Sequence, residues 1–359
     1  MKSVGILTFH ITNNHGTALQ CYALRTAIKN ISGYSVHVIP HTYCDRIING
    51  FGEPYLYDQY ENKIALFEDF FHKEIGCQEK PIHILTADNA PKYDFYVVGS
   101  DTVWHTAQTG SDAAYFLDFV NQEHSDSVKI AYAPSLGVND YSLLNIDLFD
   151  EYIDKFDYLS VREALDIDFI KQFTNKNVCR VLDPTFLLTA ETYLKLIDKK
   201  AEEKGYILLY LLYDDSERIQ KIINFANRLS LEKDLNVIHH IYNIPPYVFG
   251  DRGKSFAFDG PKDFLRYVSN ADLIITNSFH GLAFSIIFRK PFYVSLRRLY
   301  GATKLQSVLE ELHLEHRVFS DEITLEYIDF NLDYRQAEET LDELRQESYE
   351  YLKKSLKLD

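Results

Sequence analysis

The sequence predicts an α/β protein of two parallel, doubly wound domains, and three observations carry that prediction. Short apolar runs alternate with segments of helical spacing through residue 185, and again from Tyr206. At 359 residues the chain is longer than one hydrophobic core usually serves. A charged break with a glycine, Ala201-Glu202-Glu203-Lys204-Gly205, separates the two alternating halves. The hydrophobic fraction of 46% is enough for two packed cores and marks a globular chain. The expected domains are 1–200 and 201–330, with 331–359 as a helix returning over their junction.

The first domain opens with a strand, Val4–Phe9, then His10-Ile11-Thr12-Asn13-Asn14-His15-Gly16, a helix from about Thr17 to Lys29, and a strand Val36–Pro40. No G-x-G-x-x-G follows the first strand, so no dinucleotide is implied. Asn13 and Asn14 could donate to a ligand or simply close the turn. Ile64–Phe71 has helical spacing. Tyr93–Val98 is a buried strand ending in Gly99-Ser100-Asp101-Thr102-Val103-Trp104. Ser100 or Asp101 would cap a helix or face a ligand, and Trp104 would fill the core or lie beneath a substrate. Strands at Ile130–Pro134 and Tyr158–Val161 follow, the second leading through Arg162-Glu163 into a helix expected to reach Phe173. A cation leaving a buried strand needs an anionic partner, either Glu163 or a substrate oxyanion. Val178–Leu182 then ends in Asp183-Pro184-Thr185, read as structural.

In the second domain, strands are expected at Tyr206–Tyr213 and Val237–His240, and helices at Asp215–Leu229 and Asp263–Ser269, with an irregular loop through Gly253. His239 and His240 are adjacent in a strand, so they face opposite sides and cannot make a metal pair. Ala271–Leu296 is the most informative stretch: a β-branched strand Asp272–Thr276, a break Asn277-Ser278-Phe279-His280-Gly281, an apolar helix Leu282–Phe288, then Pro291 and a strand Phe292–Leu296. In such a βαβ unit the turn after the first strand lies at the carboxyl edge of the sheet, where open α/β folds bind ligands. Asn277 and Ser278 could cap the helix and His280 could pack, or the three could face a ligand beside a helix N-terminus. Arg297-Arg298-Leu299-Tyr300-Gly301-Ala302-Thr303-Lys304 is the most basic short segment, followed by a helix. The tail after Asp333 is amphipathic through Leu341, Leu344, Leu352 and Leu356.

A net charge of −16 argues against nonspecific binding to nucleic acid or anionic membranes, although local cations can still hold a small anion. Cys21, Cys44, Cys77 and Cys179 are scattered, which is neither a zinc site nor a disulfide framework and reads as free thiols. No metal constellation is visible. No signal-type segment or ~20-residue apolar run is present, so a cytoplasmic protein without a transmembrane segment is expected.

Thr276-Asn277-Ser278-Phe279-His280-Gly281, continuing to Lys290-Pro291-Phe292, resembles the C-terminal signature of the polysaccharide pyruvyl transferase family. The resemblance recurs in order, in the Asn-rich turn with Gly16, in Gly99-Ser100-Asp101 with Trp104, in Ser160-Val161-Arg162-Glu163 and in Asp183-Pro184-Thr185, across roughly residues 3–310. His15 and Thr17 depart from the family pattern, which leaves His15 without an assigned role. Lys304 is the match to the lysine the family places before a helix, with Arg298 as the fallback.

That resemblance implies two Rossmann-like domains facing across a cleft, in a GT-B-like arrangement, with the acceptor on the first and the donor on the second. It implies transfer of pyruvate from phosphoenolpyruvate to a sugar of a cell-surface or exopolysaccharide precursor, forming a ketal and needing no cofactor. His280 is the expected general acid, because only histidine titrates naturally near neutral pH. Arg162 and Lys304 would hold the donor anions, with Asn277 and Ser278 beside them. Asn13, Asn14, Gly16, Ser100, Asp101 and Trp104 are the acceptor-side candidates. A lipid-linked acceptor would bring the protein to the inner face of a membrane. The rival readings are a glycosyltransferase using a nucleotide sugar and a non-catalytic glycan-binding relative.

Overall fold

The structure is a computed structural model that describes residues 1–10, 13–42, 57–77, 82–120, 126–197, 204–212, 214–241, 248–296, 302–320 and 323–358. The chain divides into two compact units, one of Met1–Leu188 with Glu343–Asp359 and one of Thr189–Asp342. The first boundary thus falls before residue 200.

Unit 1 runs β1 (Ser3–Leu7), α1 (His15–Ser32), β2 (Ser35–Val38), α2 (Tyr57–Phe70), β3 (Phe95–Val98), β4 (Val128–Ala131), α3 (Ile146–Tyr152), β5 (Tyr158–Val161), α4 (Ile167–Ile170) and β6 (Val178–Arg180). All six strands are parallel, in the order β2-β1-β3-β4-β5-β6. All four residues of β3 are buried, as expected of a strand covered on both faces. The helix expected to reach Phe173 is instead one 3₁₀ turn, Ala164–Asp166, and the short α4. Packing outweighs helical continuity here, since Phe169 and Phe173 both pack against Phe149.

Unit 2 runs α5 (Ala190–Leu194), β7 (Tyr206–Leu211), α6 (Ser216–Lys233), β8 (Asn236–Ile241), β9 (Gly253–Ser255), α7 (Pro261–Asn270), β10 (Leu273–Thr276), α8 (Phe279–Ile287), β11 (Phe292–Val294) and α9 (Ala302–Glu311). Its five parallel strands take the order β11-β10-β7-β8-β9. β9 lies where only irregular loop was expected. Gly-Lys-Ser has no apolar alternation, and only its pairing with the β8 edge makes it a strand. His239 packs on Phe249 while His240 packs on Tyr210 and Phe256, consistent with opposite faces of β8.

The last helix, α10 (Arg335–Ser355), begins in unit 2 and ends in unit 1. Just before it, the Tyr334 hydroxyl donates to the carbonyls of Ser285 and Lys290. Further along, Tyr349 donates to the Leu187 carbonyl, Tyr351 donates to that of Ala131, and Leu352 and Leu356 are fully buried.

The strand order reverses between β1 and β3 in unit 1, and between β7 and β10 in unit 2. In open α/β sheets the carboxyl ends of the strands at such a reversal are where ligands bind. Asn13, Asn14, Ser100 and Asp101 follow β1 and β3, and Asn277, Ser278 and His280 follow β10, at these two reversals.

Candidate active site

At the carboxyl edge of unit 2, β10 ends and α8 begins almost at once. Ser278 is the N-cap, and its hydroxyl accepts from the backbone N–H of Gly281 at 3.3 Å. The Thr276 hydroxyl accepts from the Ser278 N–H at 3.0 Å and donates to the Tyr210 carbonyl at 2.7 Å. This pins the start of α8 to β7. Gly281 permits the close approach, since a Cβ there would meet Thr276 Oγ1 at 2.2 Å and Tyr210 Cδ1 at 3.1 Å. His280 therefore sits in the first turn of α8 on a fixed backbone. Its side chain is buried and meets the Phe279 ring edge-on. The first turn of α8 contains no acidic residue of its own.

Asn277 lies beside this turn but points across the sheet reversal. Its Oδ1 accepts from the Leu212 N–H at 2.7 Å, and its Nδ2 donates to the Leu212 carbonyl at 3.1 Å. The amide thus clamps the chain leaving β7, and both its ends are engaged with backbone. The expectation that Asn277 contacts the donor gives way to one of holding the site's frame. Two residues on, Asp214 is buried and accepts from the Asp215 N–H, while Asp215 caps α6 by accepting from the Arg218 N–H. Lys304 stands half-buried in the first turn of α9. Arg298 lies outside the described residues.

At the carboxyl edge of unit 1, Asn14 caps α1 by accepting from the N–H groups of Gly16 and Thr17, and Asn13 is half-buried before it. Asp101 follows β3. Its Oδ2 accepts from the Thr17 hydroxyl at 2.9 Å and its Oδ1 from the Thr102 N–H at 2.8 Å, joining α1 to the β3 turn. Gly99 holds a positive φ of 110°, and a Cβ there would meet the Tyr132 carbonyl oxygen at 2.1 Å. Ser100 is fully buried and donates to the Ala133 carbonyl at 2.8 Å and to Asp183 Oδ2 at 3.3 Å.

Two sequence expectations are corrected in this unit. Trp104 is fully buried, stacked on Phe116 and met edge-on by Phe149 and Phe156, with its indole N–H donating to the Tyr115 carbonyl. It offers no ring face to a sugar and belongs to the core. Arg162 is buried, with its Nε donating to Glu163 at 2.8 Å and its Nη1 to Asp183 at 3.0 Å. Burial alone works against the Arg162 charge, but the carboxylates of Glu163, Asp183 and Asp101 outweigh it and hold the guanidinium above its ordinary range. The guanidinium is thus already met by carboxylates of the fold. The geometry does not support the expectation that Arg162 holds the donor.

Sequence reading missed two elements of these sites. The pairing of Thr17 with Asp101 links positions 84 apart and has no local signature. The structural reading of Asp183 leaves out its partners: its carboxylate joins Ser100, Arg162 and Thr185. Among the described residues, no group of three or more His, Cys, Asp or Glu side chains could hold a metal ion.

The sequence matches the polysaccharide pyruvyl transferase family over residues 14–295. The chain belongs to that family, and it is accordingly a transferase with a role in polysaccharide pyruvylation. No curated protein matches it significantly. Among solved structures, it is similar to the UDP-GlcNAc 2-epimerase of Methanocaldococcus jannaschii in complex with UDP-GlcNAc and UDP. Identity is 16% and the TM-score 0.57, over 96% of this chain and 99% of that one. S. aureus MnaA with UDP matches at 14% identity and a TM-score of 0.53, over 98% and 91% of the two chains. The Neisseria meningitidis UDP-GlcNAc 2-epimerase bound to UDP-GlcNAc matches at 12% and 0.53, over 98% and 94%. At these identities the likeness shows the fold alone, which is GT-B-like. Among the described residues, no helix is long and apolar enough to cross a membrane.

Proposed function

We propose that the protein transfers the pyruvyl group of phosphoenolpyruvate to a sugar of a cell-surface or exopolysaccharide precursor and closes it as a ketal on two hydroxyls. The observation that carries this reading is the placement of His280: first turn of α8, at the β7–β10 reversal, on a backbone fixed by Ser278, Thr276 and Gly281. In this reading His280 protonates the methylene carbon of the donor, which makes C2 electrophilic. The N-terminus of α8, with the Ser278 turn, favours the donor's negative charge, and Lys304 supplies the balancing cation. Asn277 holds the frame rather than the donor. The acceptor is assigned to unit 1, beside Asn13, Asn14, Gly16 and Asp101. The reaction balances with phosphoenolpyruvate as the only activated reactant. A lipid-linked acceptor would place the protein at a membrane surface.

The test is His280→Gln, which keeps volume and hydrogen bonding but cannot deliver a proton at neutral pH. Mass spectrometry of glycans incubated with phosphoenolpyruvate should show kcat falling ~10²–10⁴-fold while donor affinity largely survives. A folded variant with near-normal kcat removes His280 from the mechanism.

A second reading draws on the fold likeness, because the neighbours are solved with UDP or UDP-GlcNAc. By it, a nucleotide sugar would be the donor. Saturation-transfer binding of phosphoenolpyruvate against UDP-sugars separates the two, and selective binding of UDP-sugars would favour the second.

A further inference from the structure

We propose that Cys77 is a site of thiol oxidation, reacting with hydroperoxides to form the sulfenic acid, with His10 relaying its proton and Arg25 favouring the anionic sulfur. The site lies wholly within unit 1 and is independent of the ketal-forming reading. Cys77 follows a π-helical turn, Phe71–Ile75, and its N–H donates back to the Phe71 carbonyl at 3.1 Å. The Phe71 ring meets His10 edge-on, with 6.2 Å between the ring centres. His10 Nδ1–H donates to the Thr8 carbonyl at 2.9 Å, so the lone pair of the neutral ring is on Nε2. That nitrogen stands 3.8 Å from Cys77 Sγ, within reach of the thiol proton. Burial chiefly keeps His10 neutral, with a pKa lowered to about 4, so Nε2 is an acceptor at neutral pH.

Arg25, one turn after Cys21 on α1, lies against the residue before Cys77: its Nη2 is 3.2 Å from where a Cβ on Gly76 would stand. Its Nε is buried without a hydrogen-bond partner. A guanidinium so placed favours thiolate over thiol, and the thiolate is the nucleophile. The other described cysteines differ. Cys21 is fully buried, which pushes its thiol up, and both Cys77 and Arg25 act on it as neighbours. Cys179 is half-buried, and its sulfur is met by the neutral Asn177 amide at 3.0 Å. Cys77 combines partial exposure with a ring nitrogen and a guanidinium. In the reaction its sulfur bonds to one oxygen of hydrogen peroxide and the O–O bond breaks. Sulfur gives up two electrons and the peroxide takes them. The thiol proton, passed through His10 Nε2, joins the departing hydroxide. The products are the sulfenic acid of Cys77 and water.

The experiment exposes the full chain to hydrogen peroxide, with dimedone as the sulfenic-acid trap, and follows each cysteine by peptide mass spectrometry. Cys77 should be labelled first. Its rate should fall roughly tenfold in Arg25→Gln, the effect of one pKa unit on the thiolate fraction, and largely survive in Arg25→Lys, which keeps the charge. His10→Asn should slow the labelling as well. Alkylation by iodoacetamide, which needs the thiolate but no peroxide, should follow the same order among the Arg25 variants. Labelling first at any other cysteine, or a Cys77 rate equal to wild type in folded Arg25→Gln or folded His10→Asn, overturns the assignment. The order of labelling in the wild type requires no variant to fold, and none of these results bears on pyruvyl transfer.

Discussion

Replacing Gly281 with alanine tests whether the close seating of α8 on β10 is what positions His280. The added Cβ would meet Thr276 Oγ1 at 2.2 Å, Thr276 Cβ at 3.0 Å and Tyr210 Cδ1 at 3.1 Å. Relief to ordinary contact requires a movement of roughly 1.3 Å by the helix or by Thr276. Alanine gains up to about 1 kcal/mol in helix propensity over glycine. Against this, overpacking costs about 1–3 kcal/mol. If Thr276 turns away, its bonds to the Ser278 N–H and the Tyr210 carbonyl go with it, at about 1 kcal/mol each and more where a buried group is left unsatisfied. The net expectation is a loss of about 1–3 kcal/mol, read from urea denaturation. A shift of about 1 Å at the adjacent His280 should also lower kcat by roughly 10²-fold, beyond the change in folded fraction. Repeating the substitution in a Thr276→Ala background removes the clashing oxygen, and the cost of Gly281→Ala should shrink there by about 1 kcal/mol or more. Equal stability and kcat for Gly281→Ala in the wild-type background would refute the packing argument.

Two further outcomes follow from the same geometry. Arg162→Lys should chiefly destabilise unit 1, because lysine cannot reproduce the paired contacts to Glu163 and Asp183 and a damaged buried pair costs about 3–5 kcal/mol at the upper end; donor binding by the folded fraction should be unchanged, and a selective rise in donor KM at wild-type stability would return Arg162 to the donor site. His10 is held neutral, its pKa lowered to about 4 chiefly by burial and partly by His41, while its Nδ1–H donates to the Thr8 carbonyl. The unfolded chain therefore binds more protons than the folded one between pH 6.5 and about 4, so stability should fall as pH drops through that window, by about 3 kcal/mol in all. His10→Asn should flatten this part of the urea-midpoint profile, and an unchanged slope would remove His10 as its source.

The alternation of short apolar runs with helical segments made both parallel sheets legible, because strands covered on both faces cannot hide their composition. The strand–turn–helix at Thr276–Gly281 was legible for the same reason: a β-branched run, a cap residue and a small residue fall in sequence. The ambiguities at Asn277, Trp104 and Arg162 were not resolvable, since each depended on partners distant in the chain. Leu212 is 65 residues from Asn277, Tyr115 lies 11 from Trp104, and Asp183 lies 21 from Arg162. A strand-end arginine reads the same whether its carboxylates come from the fold or its counter-anion comes from a ligand. Only placing Asp183 beside Glu163 decides between them. β9 escaped for a different reason, because an edge strand of Gly-Lys-Ser is made by its neighbour rather than by its own side chains.

The charge distribution also bears on which unit takes which substrate in the proposed reaction. In unit 1, the carboxylates of Asp101, Glu163 and Asp183 lie at the carboxyl edge of the sheet and all act on the buried Arg162. An edge of that kind repels phosphate and carboxylate but suits an uncharged sugar, whose hydroxyls donate to carboxylate oxygens. In unit 2 the corresponding edge begins with a helix whose first turn has no acidic residue, whose cap is a neutral serine, and whose N-terminal end is electropositive. The donor carries a phosphate and a carboxylate, and it gains from such an end what it would lose at the other. The dianionic phosphate of a bound donor would keep a proton on His280 until the methylene carbon takes it.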